Sequence, residues 1–194
     1  MLDFPLAAPS ANPSGYVSPV SAMHVFEGLQ GKISYILDGG SCTIGLESTI
    51  VGFEEEKVVV HRLGVISAEQ ISAIAGVDTI TSLAHASPTA PGQLKSHYAT
   101  SKPLLIGDVA QLIDAFAGKK MGLLLFERSA GLAVEKEILL SPSGSLEEAA
   151  AGLFRAMRLL DQSDLDVIIA QRFPNTGIGR AINDRLERAA YKGD

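Results

Sequence analysis

The side chains best suited to binding a polar ligand lie in a proline-rich loop close to the start of the sequence, APSANPSGYVSP at positions 8–19. Ser10 and Asn12 place a hydroxyl and a carboxamide beside proline and glycine, an arrangement that suits recognition of polar ligands. The same two side chains also suit local hydrogen bonds within a turn, so both interpretations stand. Ser18 precedes Pro19 and therefore indicates the cap of a helix, whose N-terminus also attracts anions.

Further candidates for ligand contacts lie at the ends of two predicted strands. Ser48 stands near the start of the strand ESTIVGF, and Arg62 ends the strand in KVVVHRLG, just before a glycine. A guanidinium at this position suits contact with a phosphate, because it donates paired hydrogen bonds and keeps its charge. An ion pair with the nearby glutamates is the alternative for Arg62, and a half-exposed strand start is the alternative for Ser48.

An adjacent histidine and tyrosine, His97 and Tyr98, lie within residues 83–103, a stretch with three prolines and no period in its apolar residues. This composition predicts a linker. The pair suits either of two roles, covering a bound ligand or anchoring the linker to a domain.

Several other chemistries are disfavoured by the sequence. Cys42 is the only cysteine, which excludes an internal disulfide, and the four histidines lack metal-ligand spacing, so we expect no metal site formed by a side-chain cluster. NTGIGRAIN at 175–183 looks like a dinucleotide-binding turn, but Ile182 occupies the position of its third glycine. The turn therefore predicts a helix start, with weak anion binding as an option.

The composition is that of a globular protein, with 46% hydrophobic and 20% charged residues in 194. It shows neither an apolar run long enough for a membrane helix nor the basic and apolar regions of a signal peptide, so we expect a cytoplasmic protein. Residues 1–86 carry only Lys32, Lys57 and Arg62 against nine acidic residues. This part alone is therefore poorly suited to binding phosphates or nucleic acid.

The elements that must position these residues follow from periodicity and capping signals. The predicted strands are 32–40, 47–53, 57–64, 77–82, 103–108, 120–127, 136–142 and 166–173. The predicted helices begin at Ser18, at Ser67 with a capping box to Gln70, at Asp108, at Ser145 with a capping box to Glu148, and at Gly177. Strands that alternate with helices after residue 103 predict a mostly parallel sheet covered on both faces.

The order of these motifs resembles a known family. APSANPSGYVSP, DGG, GLESTIV and HRLGVIS follow one another as in the YrdC-like domain. SPTAPGQLKSHYATSKP at 87–103 is similar to the linker of the two-domain threonylcarbamoyl-AMP synthases, and GIGRAINDRLERAA to the end of their small α/β domain. The resemblance implies an α/β fold in which residues 1–82 are the C-terminal part of a YrdC-like catalytic domain, 83–103 the linker and 104–194 a small Rossmann-like domain.

The resemblance also implies an activity and a set of contacts. Members of the family convert L-threonine, bicarbonate and ATP into threonylcarbamoyl-AMP and pyrophosphate, and other tRNA-modification proteins transfer the threonylcarbamoyl group to tRNA. Magnesium arrives with ATP, near Ser10 and Asn12, and no tightly bound cofactor is implied. The implied ATP contacts are Ser10, Asn12, Ser18, Arg62 and Tyr98. The implied threonine contacts are Ser48 and the backbone of Ala8, and His97 is a further linker contact.

This sequence departs from the family pattern in two places. Ala90 and Thr100 stand where the linker usually has serine and proline, and a typical member has a long upstream segment with a phosphate-binding Lys-x-Arg element. We therefore expect the chain to start within the catalytic domain. Three interpretations follow: a truncated or split synthase whose N-terminal half is on another chain, a noncatalytic remnant that binds nucleotide or RNA or is regulatory, or a partial domain carried by an intact C-terminal module.

A chain that starts within the catalytic domain contains only part of the sheet of that domain. It exposes strand edges and apolar surface, and both favour self-association. We therefore expect a homo-oligomer or a rearranged packing of residues 1–86.

Overall fold

The computed structural model describes residues 3–55, 57–81 and 96–191. In this part of the chain, the elements before residue 82 are α1 (Ala22–Leu29), β1 (Ile50–Glu54), β2 (Lys57–Arg62), α2 (Ala68–Ala75) and β3 (Thr79–Thr81). The elements after residue 95 are β4 (Leu104–Gly107), α3 (Val109–Ala115), β5 (Met121–Leu125), β6 (Lys136–Leu139), α4 (Leu146–Asp161), β7 (Val167–Gln171) and α5 (Gly179–Ala190). None of these helices is long and apolar enough to cross a membrane.

The first sheet has three strands in the order β1-β2-β3, with β1 antiparallel and β3 parallel to the central β2. The β-branched run Val58, Val59 and Val60 is buried, as a central strand requires. Ser67 and Gln70 form the predicted reciprocal capping box at the start of α2. The predicted β1–β2 pair and the helix after it are therefore confirmed.

Two predictions for residues 18–40 are wrong. The residue that caps α1 is Ser21, whose Oγ accepts a hydrogen bond from the backbone of His24, because the hydroxyl of Ser18 is instead donated to Glu47. Residues 32–40 form turns and extended chain instead of a strand. None of the described strands pairs with this segment, so its backbone forms no ladder of hydrogen bonds.

The second sheet has four parallel strands in the order β4-β7-β5-β6. All of β5 is buried, because side chains of α3 cover one face of the sheet while α4 and α5 cover the other. Asp108 caps α3 as predicted, by accepting a hydrogen bond from the backbone of Gln111. The predicted α/β fold with a mostly parallel sheet is confirmed.

The second predicted capping box is half right. Ser145 Oγ accepts a hydrogen bond from the backbone of Glu148, as a cap does. The backbone N–H of Ser145, however, donates to Ser141 Oγ, while the carboxylate of Glu148 accepts hydrogen bonds from Ser141 and Ser143. The hydroxyl of Ser141 lies between the two groups that a capping box would join.

A shared core joins the parts of the chain on either side of residues 82–95. One cluster of buried apolar side chains contains Val17, Leu46 and Val60 from the first part together with Phe154 and Leu186 from the second. The helices α4 and α5 therefore pack against the segments that carry the predicted binding residues. The domain boundaries at 82 and 103 stay a prediction, and positions 83–95 of the predicted linker, Ala90 included, lie outside the described residues.

Candidate functional site

A cavity of about 450 Å³ brings together residues that are far apart in the sequence. Its lining comes from the proline-rich loop, the segment that leads into β1, the end of β2 and the described end of the predicted linker. Six of the residues predicted from the sequence line it: Ala8, Ser10, Ser48, Arg62, His97 and Tyr98. Glu47, which the sequence did not single out as a ligand contact, lines it as well.

Arg62 and Ser48 are held together at one wall of this cavity. The Nε and Nη2 atoms of Arg62 donate hydrogen bonds of 3.1 and 2.9 Å to the backbone carbonyl of Ser48, and Nη2 lies 3.2 Å from its hydroxyl. Burial lowers the pKa of Arg62, but a guanidinium starts from so high a value that it keeps its charge. The wall therefore presents a cation and a hydroxyl side by side.

Tyr98 both anchors its segment and faces the cavity. Its buried ring stacks on Phe154 of α4 at 5.4 Å between centroids, with its backbone at a φ of 60°. Burial raises the pKa of Tyr98 to about 12, so its hydroxyl stays protonated and able to donate a hydrogen bond. The backbone of the neighbouring Ala99 donates to the carbonyl of Gly15 at 2.8 Å, which ties this segment to the proline-rich loop.

His97 lines the cavity beside Tyr98, with 4.2 Å between the ring centroids. Its backbone N–H donates to the carbonyl of Arg188 in α5. Burial lowers the pKa of His97, so the imidazole is neutral at pH 7 and offers one donor and one acceptor. The anchoring role predicted for the His-Tyr pair is thus present together with access to the cavity.

Glu47, which lines the cavity, forms an ion pair with Arg185, which does not. Arg185, on α5, is fully buried, and its Nε donates to Oε2 of Glu47 at 3.1 Å. Ser18 Oγ donates to Oε1 of the same carboxylate at 2.8 Å. Burial alone would raise the pKa of Glu47, but the charge of Arg185 and the hydroxyl of Ser18 outweigh it, and the net pKa is lowered.

The motifs do not reveal Arg185, although the sequence contains a signal for it. On α5 the buried apolar residues Ala181, Ile182, Leu186 and Ala189 follow helical spacing, and Arg185 lies within the same stripe. An arginine on an apolar helix face needs a partner, because an unpaired buried charge is costly.

Two predicted residues do not line the cavity. Ser18 lies in an adjoining pocket of about 220 Å³, which Ser10 and Glu47 also line. The Asn12 amide donates to the carbonyls of Pro13 and Tyr16 at 2.9 and 3.0 Å, which is the local turn that the sequence left open as an alternative. Its Oδ1 atom is buried and accepts no hydrogen bond from the described residues.

The cavity therefore offers neutral donors, one cation and one compensated carboxylate. Within residues 3–55, 57–81 and 96–191, no cluster of three or more His, Cys, Asp or Glu side chains could hold a metal ion. Such a lining can bind and orient a polar, partly anionic ligand, and it can stabilise negative charge that develops near Arg62.

Two family models match the chain. A model described as "Threonylcarbamoyl-AMP synthase, C-terminal domain" matches residues 66–191, and one described as "Telomere recombination" matches residues 1–64. Threonylcarbamoyl-AMP synthase of Bacillus subtilis (strain 168) is 40% identical over 96% of this chain and 57% of its own length. The protein of the same name from Pyrococcus abyssi is 35% identical, over 96% of this chain and 58% of its own length. The chain thus spans about half the length of the curated relatives it matches.

A solved structure resembles the whole arrangement. The crystal structure of P. abyssi Sua5 complexed with L-threonine has a TM-score of 0.82 and 34% sequence identity to this chain. The match covers 94% of this chain and 56% of that one.

Proposed function

Since the chain belongs to the threonylcarbamoyl-AMP synthase family, we propose that it acts in the conversion of L-threonine, bicarbonate and ATP into threonylcarbamoyl-AMP and pyrophosphate. The observation that carries this proposal is a cavity that gathers Ser10, Ser48, Arg62 and Tyr98 from four segments of the chain. The likeness to a relative solved with L-threonine supports threonine as one ligand.

The lining suggests how two ligands share the cavity. Ser48 and the backbone of Ala8 contact threonine, whose polar groups match a hydroxyl and a peptide group. Ser10, Arg62 and Tyr98 contact ATP, which brings its own magnesium, and His97 contributes from the described end of the linker. The Ser18 hydroxyl is donated to Glu47 and the Asn12 amide to its own loop, so direct ATP contacts by these two residues stay a prediction.

The reaction asks the protein mainly for positioning and charge neutralisation. The amine of threonine forms a C–N bond to the carbon of bicarbonate with loss of one water, and an oxygen of the resulting carbamate attacks the α-phosphorus. The bond from that phosphorus to the bridging oxygen breaks, and pyrophosphate leaves with the electron pair. Arg62 neutralises charge on the phosphates, and the protonated hydroxyl of Tyr98 donates a hydrogen bond within the same cavity.

The proposed test measures pyrophosphate release with ATP, magnesium, L-threonine and bicarbonate, and identifies threonylcarbamoyl-AMP by mass spectrometry. We expect threonine-dependent release that is lost in Arg62→Ala and retained in Arg128→Ala, since Arg128 is exposed and does not line the cavity. Release that persists in an identically purified Arg62→Ala sample would point to a host enzyme and contradict the proposal.

The setting of the activity is part of the same proposal. We propose that the chain acts in the cytoplasm, and that tRNA-modification proteins take the threonylcarbamoyl group from its activated product and transfer it to tRNA. A pull-down with those proteins, in the presence and absence of ATP and threonine, measures whether such a contact forms.

A further inference from the structure

Glu47 is the carboxylate in the lining of the cavity. An anionic ligand beside an uncompensated carboxylate is repelled, and this repulsion is stronger in a partly buried site than in water. A cavity that receives a nucleotide must therefore neutralise Glu47 or hold it away from the ligand.

Arg185 does both through fixed geometry. Its Nε contacts Glu47, its Nη2 donates to the carbonyl of Leu63 at 2.6 Å, and its Nη1 pairs with Asp184 at 2.7 Å. Each nitrogen of the guanidinium thus has a partner in a different direction. The Cζ atom of Arg185 lies 5.3 Å from the centroid of the Tyr98 ring, so the guanidinium packs against this ring in addition to its hydrogen bonds.

Asp184 does not neutralise the whole positive charge of Arg185, so part of that charge compensates Glu47. Asp184 also accepts a hydrogen bond from Arg188 at 2.9 Å, so two arginines share that carboxylate. The positive charge of Arg185 is therefore only partly used by Asp184. A chain of contacts runs from α5 through Arg185 and Glu47 to Ser18.

The electrostatics agree with this geometry. Burial raises the pKa of Glu47, and the Arg185 charge and Ser18 hydroxyl then lower it below its ordinary value. The titratable and charged groups that interact with Glu47 or with its partner come from β2, from the described linker end and from α5: Arg62, His97, Tyr98, Asp184 and Arg185.

We propose that Arg185 is a positioning residue, which holds the Glu47 carboxylate compensated and turned onto Ser18 so that the cavity accepts an anionic nucleotide. This inference rests on the proposed function for the identity of the ligand. It also assigns a role to the C-terminal part of the chain, because α5 supplies the charge that conditions a cavity lined by other segments.

The first experiment follows the Glu47 carboxyl by ¹³C NMR titration, with Glu47→Gln identifying its signal. We expect the pKa of Glu47 to be higher in Arg185→Met than in the wild type. In Arg185→Lys, which keeps a positive charge, the pKa of Glu47 should lie between those two. Arg128→Met removes an exposed arginine and should leave the titration unchanged. Equal titration of Glu47 in the wild type and Arg185→Met would overturn the proposal.

The second experiment measures binding of ATP with magnesium by isothermal titration calorimetry. We expect Arg185→Met to weaken binding at least about tenfold at about pH 8, the factor that 1.4 kcal/mol represents. Relative to the wild type, the loss should shrink as the pH falls and Glu47 takes up a proton. The double variant Glu47→Gln/Arg185→Met should bind within a few fold of Glu47→Gln, because no carboxylate then needs compensation.

The outcomes separate this inference from the proposed function. An equal loss on Arg185→Met with and without Glu47 would mean that Arg185 only stabilises the fold, and would overturn the proposal. If Arg185→Met does not fold, Arg185→Lys is compared with the wild type, and Glu47→Gln/Arg185→Met with Glu47→Gln. Absence of ATP binding by the wild type would overturn the proposed function, while the titration of Glu47 would still decide the effect of Arg185.

Discussion

The hydroxyl of Tyr16 donates a 2.6 Å hydrogen bond to Oδ2 of Asp161, and so ties the proline-rich loop to the last residue of α4. About one turn earlier on α4, the guanidinium of Arg158 lies over the Tyr16 ring and donates to the carbonyls of Val17 and Ser18. The helix therefore holds the loop whose Ser18 contacts Glu47. Both α4 and α5 thus act on the partners of the Glu47 carboxylate, since α4 holds the loop that carries Ser18 and α5 supplies Arg185.

Removal of this hydroxyl should lower stability modestly. In Tyr16→Phe the ring and its contact with Arg158 remain, and Asp161 still accepts hydrogen bonds from Ser101 and Lys102. We expect a loss of about 1–2 kcal/mol in the free energy of unfolding, because one hydrogen bond to a charged group is lost without leaving it unpaired. Urea denaturation measures the loss, and Tyr35→Phe, at an almost fully exposed tyrosine, should cost nothing measurable.

Gly64 should tolerate no side chain. A Cβ atom there would lie 2.3 Å from the backbone N of Thr49 and 2.5 Å from the carbonyl of Glu47, so the segment that carries Ser48 would have to move. We expect Gly64→Ala to cost about 1–3 kcal/mol and to weaken threonine binding, since Ser48 would shift relative to Arg62. Denaturation and calorimetry measure the two effects.

The matched control for this substitution is Gly39→Ala, because a Cβ atom at Gly39 meets nothing within 4 Å. Equal effects of the two substitutions on threonine binding would contradict the role assigned to the close approach at Gly64.

Local signals predicted most of the elements correctly. Ser67 and Asp108 cap their helices through bonds to residues three positions away, so the sequence contains both partners. The prediction that Ser18 caps α1 is wrong because its partner, Glu47, is distant in the sequence. Ser21 caps this helix instead. A capping signal cannot reveal that a hydroxyl is already engaged by a residue brought near only by the fold.

Six of the eight predicted contact residues line one cavity, but the network that holds them could not be predicted from the sequence. The resemblance placed Ser48, Arg62 and Tyr98 together, and they line one cavity. Glu47 and Arg185 escaped notice because their pairing joins β1's leading segment to α5, and no spacing rule relates those positions. Tyr98 shows the same limit, since its ring packs on Phe154, a helix residue far along the chain.

Asp161 should make stability depend on pH in the acidic range. Burial raises the pKa of Asp161, but hydrogen bonds from Tyr16, Lys102 and Ser101 outweigh it, and the net pKa lies below the ordinary 3.8. The folded protein therefore binds fewer protons at this carboxyl than the unfolded chain. Its contribution to stability is complete above the unfolded pKa and is lost as the pH falls through the folded pKa.

The measurement is urea denaturation of the wild type and Asp161→Asn at about pH 7 and about pH 3. We expect the variant to be less stable at the higher pH, with the difference narrowing at the lower one. Asp114→Asn, at an exposed aspartate, is the control for general acid effects. A difference that stays constant across this range would exclude Asp161 as the source.

The exposed apolar side chains of the first part should drive self-association. Leu37 is 99% exposed, Phe53 80% and Phe26 50%, and none of the residues of α1 is buried within the described chain. In the three-stranded sheet, β1 and β3 each have one neighbour among the described strands, so each presents an edge. Exposed apolar surface and open edges both favour contacts between copies.

We expect size-exclusion chromatography with light scattering to give a mass above that of one chain at micromolar concentration, and Phe26→Ser/Leu37→Ser to lower this mass. Leu132→Ser, in the second part, should leave the mass unchanged, and a wild type that elutes as a monomer would contradict the expectation.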